Sequence, residues 1–276
     1  MFPPARKTQL KLLVCLSVAF LAPAGHAQAS GQKPPQAVAD MLNQQVWWDS
    51  ASPTDSNPKG QQLQFSKIDE VTHDGKRFVR YRVYLSGAPE GKKYLLQLWK
   101  IGTGLKEMQT VSESVYVNAK GLLMTSRPRS DQENEDSAAN DGEVELALRT
   151  ARGEPARFVL SIPNKKFLVP GVIVPYPIES SDGLCRLEAR LASNDGEAIL
   201  LYGDGLPPDS VVPLESSSEN EAHTASLQVD DRGHAGTVVL PYVIGKDAGV
   251  LKASITISGC SVSVEIPWGS GTYSPL

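Results

Sequence analysis

Arg77-Phe78-Val79-Arg80-Tyr81-Arg82-Val83-Tyr84-Leu85 is the stretch on which the fold turns. Val79, Tyr81, Val83 and Leu85 alternate with Arg80, Arg82 and Tyr84. A side-chain period of two belongs to a strand with one face on a core and the other in water. Residues 87–92 supply a turn, and 93–101 follow as a second strand carrying Leu95, Leu96, Leu98, Trp99 and Ile101. Further strands are expected at 62–68, 114–117, 122–125, 144–148 and 157–162. Asn118-Ala119-Lys120-Gly121 joins two of them as a hairpin, with glycine free to take positive φ.

Pro163, Pro170, Pro175 and Pro177 interrupt the next section, so a domain boundary is expected between residues 163 and 180. Beyond it, Cys185, Leu187, Ala189 and Leu191 alternate with Arg186, Glu188 and Arg190. Strands are read at 198–202, 211–214, 225–229, 237–243, 250–257 and 260–266, with Ser258-Gly259 as a two-residue turn between the last pair. Short strands separated by turn chemistry, with no helical run among them, mean antiparallel β-sandwiches.

Gly203-Asp204-Gly205-Leu206-Pro207-Pro208, then Val211-Val212, then Asp230-Asp231-Arg232-Gly233 ahead of Val238-Val239-Leu240-Pro241 resembles the bacterial extracellular immunoglobulin-like modules. The resemblance spans roughly residues 170–268 and implies a sandwich of about seven strands, with no chemistry attached. An antibody-type Cys…Trp…Cys spacing is missing, because no Trp lies between Cys185 and Cys260.

At the other end, Arg6, Lys7 and Lys11 precede an apolar run from Leu12 to Leu21, and Ala27-Gln28-Ala29 has the form of a cleavage site. This reads as a secretory signal peptide over 1–29, cut after Ala29 or Ala27. The apolar run is too short for a membrane-spanning helix, which needs about 20 residues. Residues 30–60 are expected to hold one short amphipathic helix, with Val38, Met41, Leu42 and Val46 at helical spacing, followed by Trp47-Trp48 and a polar linker. The first sandwich domain is assigned to 61–163 and the second to 164–276. Export would leave Cys185 and Cys260 in an oxidising compartment, where pairing is the default.

Cutting after residue 29 leaves 24 Lys plus Arg against 31 Asp plus Glu, a balance that argues against a nucleic-acid partner. No transmembrane segment is expected in the mature chain. His73, His223 and His234 lie in no Gly-x-Ser-x-Gly context and read as surface residues rather than members of a triad. His223 and His234 with Glu221 or Asp231 have no recognised metal-ligand spacing. The acidic stretch Asp131, Glu133, Glu135, Asp136, Asp141 and Glu143 offers oxygens suited to Ca²⁺ but lacks an EF-hand order, and reads as a charged loop, as do residues 215–221.

No catalytic residue, metal ligand or cofactor is therefore expected. The expectation is an exported, non-catalytic binding or structural protein of the bacterial cell envelope, whose partner is a protein or envelope component met through loops or sheet edges. Trp47 and Trp48 are the candidate partner contact, and Cys185 with Cys260 the structural bridge. The alternative is a secreted hydrolase, or an accessory domain of one, with an unrecognised site.

Overall fold

In the computed structural model, the stretch around Val79 forms β2 (Lys76–Ser86), which pairs antiparallel with β1 (Gln62–His73) from Gln62↔Ser86 to His73↔Lys76. The structure describes Leu42, Gln45, Trp48, Asp49 and residues 60–99, 101, 108–125, 142–162 and 168–275. Among the described residues all strand pairs are antiparallel. The signal-peptide residues and the linker before Gly60 lie outside the described residues, as do residues 131–141 of the acidic stretch. No helix among the described residues is long and apolar enough to cross a membrane.

The first half continues with β3 (Lys93–Trp99), β4 (Gln109–Val117), β5 (Leu123–Met124), β6 (Glu145–Leu148), β7 (Ala156–Ser161) and β8 (Leu168–Ile173). They make a three-stranded sheet, β1-β2-β6, and a five-stranded sheet, β5-β4-β3-β7-β8. Val83 and Leu85 from the first and Leu96, Val117, Phe158 and Leu160 from the second meet in one core. The expected inward face of β2 is thus the observed one.

The second half consists of β9 (Ile178–Asp182), β10 (Cys185–Leu191), β11 (Ile199–Asp204), β12 (Val211–Ser218), β13 (Glu221–Gln228), β14 (Ala235–Val239), β15 (Ala248–Ile257) and β16 (Cys260–Gly269). Two four-stranded sheets result, β14-β11-β10-β9 and β13-β12-β15-β16. Leu187, Leu201, Leu214, Leu251, Ile255, Val264 and Trp268 share the core between them. The Cys185–Cys260 disulfide spans 6.1 Å between Cα atoms and ties β10 in one sheet to β16 in the other.

The two halves repeat a strand order. β1-β2-β6 corresponds to β10-β11-β14, and β4-β3-β7-β8 to β13-β12-β15-β16, each strand keeping its place in the chain. What remains is β5, which covers the edge of β4, and β9, which covers the edge of β10. Both cores belong to one compact unit, Pro34–Leu276.

Three sequence readings change. The proline-broken section 163–180 contains β8 and β9: Pro170 is accommodated because β8 is an edge strand, where a missing N–H costs no ladder bond. Residues 215–221 are not a loop, since Glu215–Ser218 pair with Glu221–Thr224 in the β12–β13 hairpin. β14 stops at Val239 rather than running to Val243. The turn Ser258-Gly259 is found as expected, with Ile257↔Cys260 closing it and Gly259 at φ 78°.

At the resemblance-bearing segment, Gly205 and Gly233 hold the chain together sterically. A Cβ on Gly205 would fall 2.0 Å from the Leu184 carbonyl oxygen, and one on Gly233 would fall 2.6 Å from that of Leu206. Both have positive φ, and Asp230 accepts the Arg232 and His234 N–H groups to close the turn.

Candidate functional site

The outward face of β10 explains the most unusual part of the molecule. Alternation puts Arg186, Glu188 and Arg190 on that face, and the β10–β11 register sets Arg186 opposite Asp204 and Glu188 opposite Tyr202. A face of three charges should be wet, yet Glu188 is only 4% exposed. Arg186 and Arg190 flank it, and Arg190 in turn meets Asp49, which with Leu42, Gln45 and Trp48 has helical backbone. Spacings of three, three and one place these four side chains on one helical face.

Leu42 packs with Ala192, Ala198 and Leu200 of the second half, and Gln45 Nε2 donates to the Ala192 carbonyl at 3.2 Å. Trp48 packs instead on the first half, with Trp99 and Val159. Its ring meets Trp99 edge to face at 5.4 Å between centroids. One segment therefore touches the outer faces of both halves.

Asp49 joins them chemically. Its carboxylate, with no exposed surface, accepts the Arg157 Nε at 2.8 Å and the second Arg157 nitrogen, Nη2, at 2.9 Å. This forked pairing matches guanidinium to carboxylate, and the Arg157 guanidinium also lies 5.5 Å from the Trp99 ring centre. From the second half, the Tyr202 hydroxyl donates to Asp49 Oδ2 at 3.1 Å and Arg190 Nη1 stands 3.3 Å from the same oxygen. Arg190 also stacks over Tyr202 at 4.6 Å.

The charges then alternate outward. Arg190 donates to Glu188 at 2.7 and 3.2 Å, Arg186 reaches Glu188 at 3.2 Å and Asp204 at 2.8 Å, and His234 Nδ1 lies 2.7 Å from Asp204. Arg186 also meets Glu179 of β9, which stands directly opposite Glu188 in the register, so its guanidinium separates two like charges. The result is one continuous chain from a half-exposed histidine to a fully buried arginine.

This environment shifts protonation. Burial opposes a charged Arg190, but its bonds to Glu188 and the nearby Asp49 carboxylate outweigh that and hold its proton more tightly than usual. Burial and the adjacent Asp49 raise the Tyr202 hydroxyl well above the ordinary tyrosine range, which keeps it a donor. At Asp204 burial pushes upward, while the bonds from Arg186 and His234 pull harder and leave the carboxyl below its ordinary 3.8.

A depressed folded value means the carboxylate contributes stability above the ordinary pKa that disappears as pH falls through the folded one. The stability difference between the wild type and Asp204→Asn should accordingly shrink as pH drops below about 4. Urea midpoints at pH 6 and pH 3 measure it, and an undiminished difference at the lower pH would contradict this assignment.

The sequence-predicted site residues are placed as follows. Cys185 and Cys260 are bonded. Trp48 is 2% exposed and engaged with Trp99, so its ring is directed into the chain; Trp47 lies outside the described residues. His73 and His223 are exposed beside Asp74 and Glu221, and His234 is the outer member of the charge chain. Glu143, the described end of the acidic stretch, pairs with Arg82 at 2.6 Å. Among the described residues, no three or more His, Cys, Asp or Glu side chains are grouped to hold a metal ion.

In the sequence Arg186, Glu188 and Arg190 showed only as the positions alternating with Cys185, Leu187, Ala189 and Leu191. The signal for the chain was their plus-minus-plus order on one face, with Asp204 and Tyr202 at matching positions of the next strand. No protein-family profile matches the chain, and no curated protein matches it in sequence.

Proposed function

We propose that the chain is an exported, non-catalytic binding protein of the bacterial cell envelope, built of two immunoglobulin-like β-sandwich domains. The repeated strand order supports the fold part of this reading: three strands in one sheet and four in the other recur in each half, an arrangement of the immunoglobulin-like kind. Support for export comes from the Cys185–Cys260 bridge, because such bonds persist in oxidising compartments.

Recognition is carried by one observation. The connection between β14 and β15 exposes Leu240, Tyr242 at 52% and Ile244 at 77%, three large apolar side chains within five residues. Single exposed apolar residues are ordinary, but a run of them on a connecting loop is the surface a partner covers. Tyr242 brings a large contact area and a hydroxyl, a combination enriched at interfaces.

A photo-crosslinking residue at position 242 of the exported protein should form an adduct with an envelope component, and the same residue at exposed Lys120 should not. Recovery of the chain from the cytoplasm with residues 1–29 attached, or no adduct from position 242, would overturn the reading.

A further inference from the structure

Comparison of the two halves identifies an open place in the second. β4 and β13 hold the same position, next to β3 and β12 respectively. In the first half β5 fills the edge, with Tyr116↔Met124 and Val117↔Leu123, and Leu123 is buried in the core. Among the described residues no strand corresponds to β5 in the second half, and β13 is hydrogen-bonded to β12 alone.

Three other edges, those of β1, β16 and β8, are defended and this one is not. β1 carries a bulge between Lys67 and Asp69 and charges at Lys67, Asp69 and Glu70. β16 carries Pro267 and β8 carries Pro170. Bulges, charges and prolines are the devices that keep edges from pairing. Across its eight residues, Glu221-Ala-His-Thr-Ala-Ser-Leu-Gln228, β13 has no proline and a continuous register with β12, and its one formal charge sits at the first position.

The backbone can be oriented as well. Ser226 is paired with Pro213, which has no N–H to give, so this pair belongs to the non-hydrogen-bonded class. By alternation Ala222, Thr224 and Ser226 turn their N–H and C=O groups away from β12, towards the open side.

We propose that the outer edge of β13 accepts an extended segment of a partner protein, added antiparallel to β13-β12-β15-β16 as β5 is added to β4. The segment would be short and uncharged, with an apolar side chain directed at the core in the manner of Leu123, and backbone bonds to Ala222, Thr224 and Ser226 would supply most of the recognition. This rests on reading the chain as a binding protein and adds the site and the ligand chemistry.

The probe is a synthetic peptide with the sequence of residues 121–126, capped at both ends and so uncharged, added to the isotopically labelled mature chain. Amide signals of Ala222–Ser226 should move on titration, while those of β9 and β10 stay in place. A peptide N-methylated at alternate positions should produce no movement, and Thr224→Pro should abolish binding with the melting temperature nearly unchanged, because the N–H it removes has no partner in the fold.

Absence of any β13 shift at millimolar peptide, or equal shifts with the N-methylated peptide, overturns the proposal. The N-methylated arm leaves the protein intact, so it decides the matter even if the proline variant misfolds. These outcomes leave the crosslinking result at position 242 unaffected, and the two readings fail separately.

Discussion

Asp49→Ala should destabilise the chain by about 3–5 kcal/mol in urea unfolding, the cost of stranding a buried charge. The carboxylate has no exposed surface and Arg157 is 1% exposed, so removing the acid leaves a guanidinium with neither water nor counter-ion. Arg190 loses an ion-pair partner and the Tyr202 hydroxyl its acceptor in the same step. Asp49→Asn should recover part of the loss, because the amide oxygen still accepts a hydrogen bond but brings no charge. Adding Arg157→Met to Asp49→Ala should recover more than either single variant, since a buried pair replaced by apolar volume is often neutral. If the double variant is as unstable as the sum of the two singles, Asp49 and Arg157 are not coupled and the ion pair is not the source of the effect.

The second large effect belongs to the bridge. Cys185→Ala with Cys260→Ala should cost about 2–5 kcal/mol, the range for native disulfides in small exported domains. The sequence separation of 75 lies towards the upper part of that range in the loop-entropy account. Because both sulfurs sit in the second core, the first core should keep its own stability. Fluorescence of variants that keep only Trp268, buried in the second core, or only Trp99, buried on the outer face of the first half, reports the two separately. Parallel loss of both signals at the shifted midpoint would mean that the halves unfold as one unit through the Asp49 junction.

Much of this architecture was legible in advance, and the reasons differ by element. β2 and β16 announced themselves because each buries one face of a regular alternation. The disulfide followed from two cysteines on inward positions of early and late strands. β8 and β9 were missed because Pro170 within β8 and Pro175 and Pro177 just before β9 read as breakers, whereas in an edge strand the lost N–H faces away from the ladder. β5, Leu123–Met124, falls within the strand expected at 122–125, although its two residues are too few to show a period by themselves.

The junction was the least legible part. Asp49 and Arg157 are 108 residues apart, and no local pattern predicts a contact at that distance. Arg157 sits in a strand whose six residues are all buried, so both of its faces are covered. An arginine within Ala156–Ser161 gives no warning that its outer face is covered by a segment from before the first strand. The β13 edge became visible only by laying one half over the other, since its significance is what the first half has at the same place.

Leu42, Gln45, Trp48 and Asp49 brace the outer faces of the two halves. Amide hydrogen exchange of the wild type and Asp49→Ala, compared strand by strand under native conditions, tests it most directly. The account predicts faster exchange in β7 and β10, the strands carrying Arg157 and Arg190, with β15 and β16 unchanged behind the disulfide. Unaltered protection in β7 and β10, in a variant shown to have lost Asp49, would contradict it.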